Sequence, residues 1–300
     1  MTDRLYLALF NLFRAMVLHT PKKIQRPFIE GLARLVHALD ARHRHIANVN
    51  LDLAFGETMP KEEKERIVRK TYENLLFNLA DFVRNQGISR EELEKKLRFE
   101  NQQIVDEAKR SGRPIVFITA HYGNWELISL AMAARFGPLS VVGRPLDSPL
   151  MNEILRKNRE QFDIEMIPKK GAMRSLIKAI GSGRNVGLLV DQNTAENEGL
   201  LVEFFGKEAR HTPAAAILAK RMNAVVIPAF ITTDDRETYT VTIYPPLEID
   251  QTLEKEEAIA KNVQAQASVT EEAIRKKPDE WFWLHQRWKN RYEALYRREN

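Results

Sequence analysis

Ser111-Gly-Arg-Pro-Ile-Val-Phe-Ile-Thr-Ala-His-Tyr-Gly-Asn-Trp-Glu126 is the stretch whose reading decides the fold. Ser111-Gly-Arg-Pro114 breaks whatever precedes it, and Ile115-Val-Phe-Ile118 is a short, β-rich apolar run of the kind that forms a buried strand. His121 comes just past the end of that run. Asn124 through Phe136 then reads as a helix, with Gly123 in the polar turn between. A strand, a sharp turn and a helix in this order is where an open α/β sheet holds its chemistry.

Working outward, the alternation continues toward the C-terminus. Strands are expected at 139–143, 164–167, 185–190 and 224–231, with helices at 150–162, 173–180 and 213–222, and an edge or antiparallel strand at 238–244. An αβα sandwich with a mixed sheet is the layer solution for such a pattern. Toward the N-terminus the periodicity is helical. Residues 27–55 read as one helical run with Phe28, Leu32, Leu35, Val36 and Leu39 inward, and Pro60 opens a helix that Gly87 stops. Ser89-Arg-Glu-Glu92 has capping-box spacing. The first hundred residues form a helical platform. The tail returns to helix, over 253–276 and again from Trp281, with tryptophans at 281, 283 and 288.

The 300 residues are 44% hydrophobic and 29% charged, which describes a globular chain rather than a disordered or polytopic one. Cysteine is absent, so disulfides, thiolate zinc sites and cysteine nucleophiles are excluded. A net charge of +5 and a pI of about 9.3 suit an anionic lipid surface, an acidic carrier protein or nucleic acid alike. No RNP, zinc-finger or helix-turn-helix signature supports the last. The apolar segment 5–18, interrupted by Asn11 and Arg14, is too short for a span and lacks a cleavage site. It reads as a retained helix that, with Lys22, Lys23 and Arg26 behind it, lies on or dips into an anionic leaflet; packing on the domain is the alternative.

His121 and Glu126 are the candidate catalytic residues. A carboxylate one turn into the helix is placed to fold back onto the imidazole, fix its tautomer and leave the other nitrogen as a base. Spacing alone leaves a structural turn histidine, or a metal set of His121, Glu126 and Asp191, as alternatives, although no ligand-dense motif accompanies them. Arg144, beyond the second strand, reads as a phosphate contact or as an exposed turn arginine. Asp191 and Gln192 end the 185–190 strand and either orient substrate or cap a loop. The 199–205 segment reads as acyl channel, bilayer contact or core. Arg287, Lys289 and Arg291 around Trp288 suit lipid head groups.

These residues, taken with others in order along nearly the whole chain, resemble the lipid A biosynthesis lauroyl/myristoyl acyltransferases of late lipopolysaccharide assembly. The resemblance is carried by His121-Tyr-Gly-Asn-Trp-Glu126, Val142-Gly-Arg-Pro145, Leu188-Leu-Val-Asp-Gln192, Phe204-Phe-Gly206, Pro278-Asp-Glu-Trp-Phe-Trp283 and His285-Gln-Arg-Trp-Lys289, with Asn48-Val-Asn50, Leu53-Ala-Phe55 and Asp81-Phe-Val-Arg84 upstream. It implies a glycerol-phosphate acyltransferase-like sandwich, with a membrane-associating helix at 1–26 and a single acyltransferase domain at 27–300. That domain comprises a helical region at 27–100, an α/β core at 111–245 and C-terminal helices at 250–300. The implied reaction moves a fatty acyl chain from acyl carrier protein to a hydroxyacyl hydroxyl of a Kdo-bearing lipid A precursor, at the cytoplasmic face of the cell inner membrane. His121 is then the general base, Glu126 its partner, Arg144 a phosphate contact and Asp191 part of the supporting site; no metal or organic cofactor is expected. Relatives that acylate other glycolipids from acyl-CoA, a water-activating hydrolase, and a non-enzymatic membrane- or carrier-binding protein remain alternatives.

Overall fold

The structure is a computed structural model that describes residues 2–146 and 148–297. It opens with helices α1 (Thr2–His19), α2 (Lys22–Leu39), α3 (Ala41–Phe55), α4 (Lys61–Arg84) and α5 (Arg90–Lys95), then β1 (Leu97–Glu100) and α6 (Gln103–Arg110). The middle alternates β2 (Ile115–Thr119), α7 (Trp125–Phe136), β3 (Leu139–Gly143), α8 (Pro149–Arg159), β4 (Ile164–Pro168), α9 (Ala172–Gly181) and β5 (Asn185–Leu189). A hairpin of β6 (Leu200–Phe204) and β7 (Lys207–His211) precedes α10 (Ala214–Met222), β8 (Val225–Thr232), β9 (Tyr239–Ile243), α11 (Lys255–Lys276) and the short α12 (Lys289–Tyr292).

The main sheet has 7 strands in the order β1-β9-β8-β2-β5-β3-β4, parallel throughout except at the β8–β9 pair. This is the mixed sheet flanked by helices that the alternation predicts. Strand β2 lies at its centre, and its period of two divides the core. Ile115 and Phe117 join a cluster with α7, α5 and α6, while Val116 and Ile118 join a larger one that takes in α4, α9, α10 and α11. Residues 238–244 contain the antiparallel β9, but β1 pairs with it, so it is no edge.

Other sequence expectations are corrected. The helical run 27–55 is broken at Asp40, whose carboxylate accepts from the His43 amide and so caps α3 as α2 ends. In α2 the fully buried positions are Gln25, Ile29 and Ala33; Phe28, Leu35 and Leu39 face outward, Leu39 at 76% exposure. The segment from Trp281 is aperiodic apart from α12 and one 3₁₀ turn at Glu293–Tyr296, and its three tryptophans are wholly buried and packed on one another. Trp288 and Arg287 are therefore core, not a lipid head-group interface.

The turn after β2 is clamped from two sides. Gly123 has φ +57°, and a Cβ there would fall on the Ile231 carbonyl oxygen, so the position needs glycine for both its conformation and the close approach. From α4, Asn78 donates to the Gly123 carbonyl at 2.7 Å, and Asp81 accepts from Asn124 at 3.2 Å and from the Tyr239 hydroxyl. From the C-terminal segment, the Glu280 carbonyl accepts from Gly123 N at 2.9 Å, and Phe282 N donates to the His121 carbonyl at 2.9 Å. Asn124 also caps α7 by accepting from Leu127 N. Gly123→Ala is expected to cost about 3 kcal/mol or more, through strain and overlap with Ile231. Thermal or urea unfolding checks this, and a loss comparable to that of an ordinary surface substitution would contradict the clamp.

Candidate active site

Strands β2 and β5 pair in register Thr119↔Leu189, so the residues two positions past each, His121 and Asp191, emerge side by side at the same edge of the sheet. His121 Nδ1 lies 2.9 Å from Asp191 Oδ1, and the His121 amide donates to Asp191 Oδ2 at 3.0 Å. Trp281 Nε1 donates to the same Oδ2 at 2.8 Å. Asp191 is 0% exposed. Burial works against its charge, but the His121 imidazole and the Trp281 indole hold its carboxyl well below the usual carboxylate range. An ionised carboxylate only accepts, so His121 carries its proton on Nδ1 and presents the lone pair of Nε2. Burial also works against a charged His121, yet Asp191 outweighs it and raises the imidazole above its ordinary value, with a smaller contribution from Glu126.

Glu126 does not fold back onto the imidazole. Its two oxygens accept from Arg159 at the end of α8, Oε2 from Nε at 2.8 Å and Oε1 from Nη2 at 2.5 Å, a two-pronged pair. The orienting carboxylate is Asp191, 70 residues away in the chain. Arg159 was not singled out by sequence; its spacing from Arg156 on a basic helix face resembles any solvated arginine. Burial alone would weaken its charge, but the Glu126 pair outweighs this and raises it.

His121 and the Glu126–Arg159 pair line one cleft of about 690 Å³. Its inner wall is apolar, with Ile128, Met132, Val141, Met173 and Leu176 among the lining, and its polar end carries His121, Glu126, Arg159, Arg144 and Gln192. Gly187 in β5 lies in the wall, where a Cβ would come within 3.1 Å of Val141. Arg144 stands at the end of β3, on the same cleft as His121. Gln192 Nε2 sits 3.3 Å from His121 Nε2, at the nitrogen that faces outward. Trp125 and Phe282 flank the imidazole, with ring centroids 5.5 and 6.4 Å away. The 199–205 segment divides between roles: Val202, Phe204 and Phe205 are core, whereas Leu200 and Leu201 are exposed. Among the described residues, no group of three or more histidines and carboxylates is placed to hold a metal ion.

A sequence model of the family described as "Bacterial lipid A biosynthesis acyltransferase" matches residues 1–290. Similar proteins include the lipid A biosynthesis myristoyltransferase of Escherichia coli K12, 22% identical over 88% of this chain and 81% of that protein. The lauroyltransferase of the same organism is 26% identical, covering 88% of this chain and 85% of its own length. A lipid A biosynthesis acyltransferase of Haemophilus influenzae is 26% identical over 92% of this chain and 87% of its own.

The indole of Trp281 is the one side-chain donor to Asp191, among the described residues, other than the imidazole itself. Trp281→Phe is expected to keep the fold and loosen the carboxylate, lowering kcat about tenfold with KM little changed. Steady-state kinetics beside a circular dichroism spectrum reads both; wild-type kcat in a folded variant would show that the indole does not hold the pair.

Proposed function

This chain belongs to the bacterial lipid A biosynthesis acyltransferase family, and from that premise we propose that it transfers a fatty acyl chain from acyl carrier protein to a hydroxyacyl hydroxyl of a Kdo-bearing lipid A precursor. The observation that carries the reading is the imidazole itself: Nδ1 is locked by a wholly buried carboxylate, while Nε2 faces an apolar cleft with a cationic rim. A fatty chain fits the apolar wall, and the thioester carbonyl then lies near the polar end. The sheet with helices on both faces suits the glycerol-phosphate acyltransferase-like sandwich.

In this mechanism the acceptor hydroxyl gives its proton to His121 Nε2 as its oxygen attacks the thioester carbon. The tetrahedral intermediate collapses by breaking the carbon–sulfur bond, and the leaving thiolate takes the proton back from the imidazolium. Ester and free carrier thiol are the products, and Asp191 stabilises the imidazolium in between. Glu126 acts by holding Arg159 toward the cleft, where that guanidinium faces the developing oxyanion or a substrate phosphate. Arg144 contacts phosphate on the same rim, and Gln192 donates to the outward nitrogen until substrate displaces it.

No helix among the described residues is long and apolar enough to cross a membrane. The N-terminal helices instead expose Leu5, Leu9, Leu12, Ile24, Phe28 and Leu39, Leu12 at 71%, near Lys22, Lys23 and Arg26. This surface suits peripheral or shallow attachment to the anionic cytoplasmic face of the inner membrane, where the acceptor resides.

Purified protein incubated with acylated carrier, with and without the lipid A precursor and with acyl-CoA run alongside, tests the reading. Acceptor-dependent transfer from the carrier is expected, and His121→Ala is expected to lower it by about a thousandfold or more in a folded protein. Acceptor-independent release, transfer from acyl-CoA alone, or full activity without His121 would each overturn it. The pH profile carries a sign as well. The base works only when neutral, and its proton is held above the ordinary imidazole value of 6.5. The rate is therefore expected to rise with pH through an acid limb above about 6.5; a limb well below that value would contradict the Asp191 pairing.

A further inference from the structure

The segment that supplies Trp281 also buries a guanidinium. Arg287 is 0% exposed. It donates through Nη1 to the Arg210 carbonyl, its Nη2 lies 3.3 Å from His211 Nδ1, and it sits 4.8 Å above the Phe204 ring. Its Nε has no partner, and among the described residues it makes no ion pair. A guanidinium has five N–H donors and a permanent charge, and these contacts leave Nε unused and do not neutralise the charge. Some anion has to offset it, and the pattern of charge around the catalytic pair shows which.

The groups facing that pair come from five places. His121 sees Asp191 from the loop after β5, Glu126 from α7 and Arg159 from α8. Asp191 sees His121, and His285 and Trp281 from the C-terminal segment. Arg287 reaches the same cluster through ring contacts: it lies over Phe204, whose ring is 5.9 Å from that of Trp281, the donor to Asp191, and His211 of β7 is against it. Asp191 is the first charged group that acts on it, then the Tyr296 hydroxyl. Glu126 and Arg159 cancel each other. His285 and His211 are neutral: burial, opposed by Asp191 at His285 and reinforced by Arg287 at His211, brings them to about 4 and about 3. Of the buried set this leaves Asp191 as the one uncancelled anion and Arg287 as the one permanent cation. The carboxylate is balanced either by Arg287 or by a proton on His121.

We propose that Arg287 is a positioning residue of the catalytic pair: its buried charge balances Asp191, so that the imidazole need not be protonated to do so and stays available as the base. Arg287 acts through Asp191 and touches neither substrate nor His121. This explains why a charge is kept in a place that could hold an apolar side chain, and why the Gln286-Arg-Trp288 run is folded inward rather than offered to lipid. The guanidinium itself stays protonated, at about 10 with burial lowering it and Asp191 sustaining it.

The proposal rests on His121 as the base, and it is tested without substrate. Histidine side-chain NMR titrations of the full chain, with the His121 resonance assigned by its loss in His121→Ala, read the imidazole directly. In Arg287→Met the His121 midpoint is expected to move up by about half to one pH unit, and in Arg287→Lys to move less. An unmoved midpoint in the Met variant overturns the proposal, whether or not acyl transfer is ever observed. A second measurement covers the case in which Arg287→Met folds poorly. Adding Asp191→Asn to it removes the stranded carboxylate and is expected to raise the thermal midpoint, or to restore a cooperative transition, whereas Asp191→Asn alone lowers the midpoint of the parent. A double variant no more stable than Arg287→Met also overturns it.

Discussion

A carboxylate taken wholly out of water must keep its hydrogen bonds, and the site is built around meeting that demand for Asp191. Its two oxygens accept from a main-chain amide, an imidazole and an indole drawn from two distant parts of the chain. Buried and ionised, it cannot turn away without stranding its charge, so the imidazole that pairs with it has one orientation and one tautomer. The outward nitrogen is thereby fixed by a constraint of stability, and the geometry of the proposed mechanism follows from it.

That constraint spreads outward. Trp281 reaches Asp191 because its backbone bridges to Tyr122 and because the neighbouring residues 280 and 282 grip the turn that carries His121. The same turn is held from the other side by α4 through Asn78 and Asp81. The N-terminal helices and the C-terminal segment are thus more than padding for the sheet: together they form a vice whose jaws meet at Gly123. Glu126 and Arg159 complete the polar end by a different route, a two-pronged pair between α7 and α8 that fixes a cation in the cleft wall.

The core of this arrangement is legible in the sequence because it is local. Ile115-Val-Phe-Ile118 has no helical period, Gly123 and Asn124 punctuate the turn, and the strand-end position of Asp191 places it level with His121. What the sequence does not disclose is strand order. Only the neighbouring of β2 and β5 makes Asp191 the partner of His121, and proximity along the chain favours Glu126 instead. Strands β1 and β7 escape a pattern reading because Leu97-Arg-Phe-Glu100 and Lys207-Glu-Ala-Arg-His211 are short and charged, their apolar positions too few to show a period. The tail misleads for the opposite reason. Trp281, Trp283 and Trp288 look like an interfacial cluster among basic residues, yet each is enclosed, and an aperiodic backbone is what lets three indoles pack at 4.5 and 6.3 Å from one another. In α2 the outward Phe28, Leu35 and Leu39 follow a helical period that a pattern reading assigns to the core.

The central claim is that Asp191, and not the nearer Glu126, orients the catalytic imidazole. Comparing acyl transfer by Asp191→Asn and Glu126→Gln in folded protein tests it most directly. The geometry predicts that Asp191→Asn lowers kcat by about a thousandfold with KM little affected, whereas Glu126→Gln, acting mainly through Arg159, falls less in kcat and weakens substrate use. Near-normal kcat in Asp191→Asn beside a collapsed kcat in Glu126→Gln would contradict it.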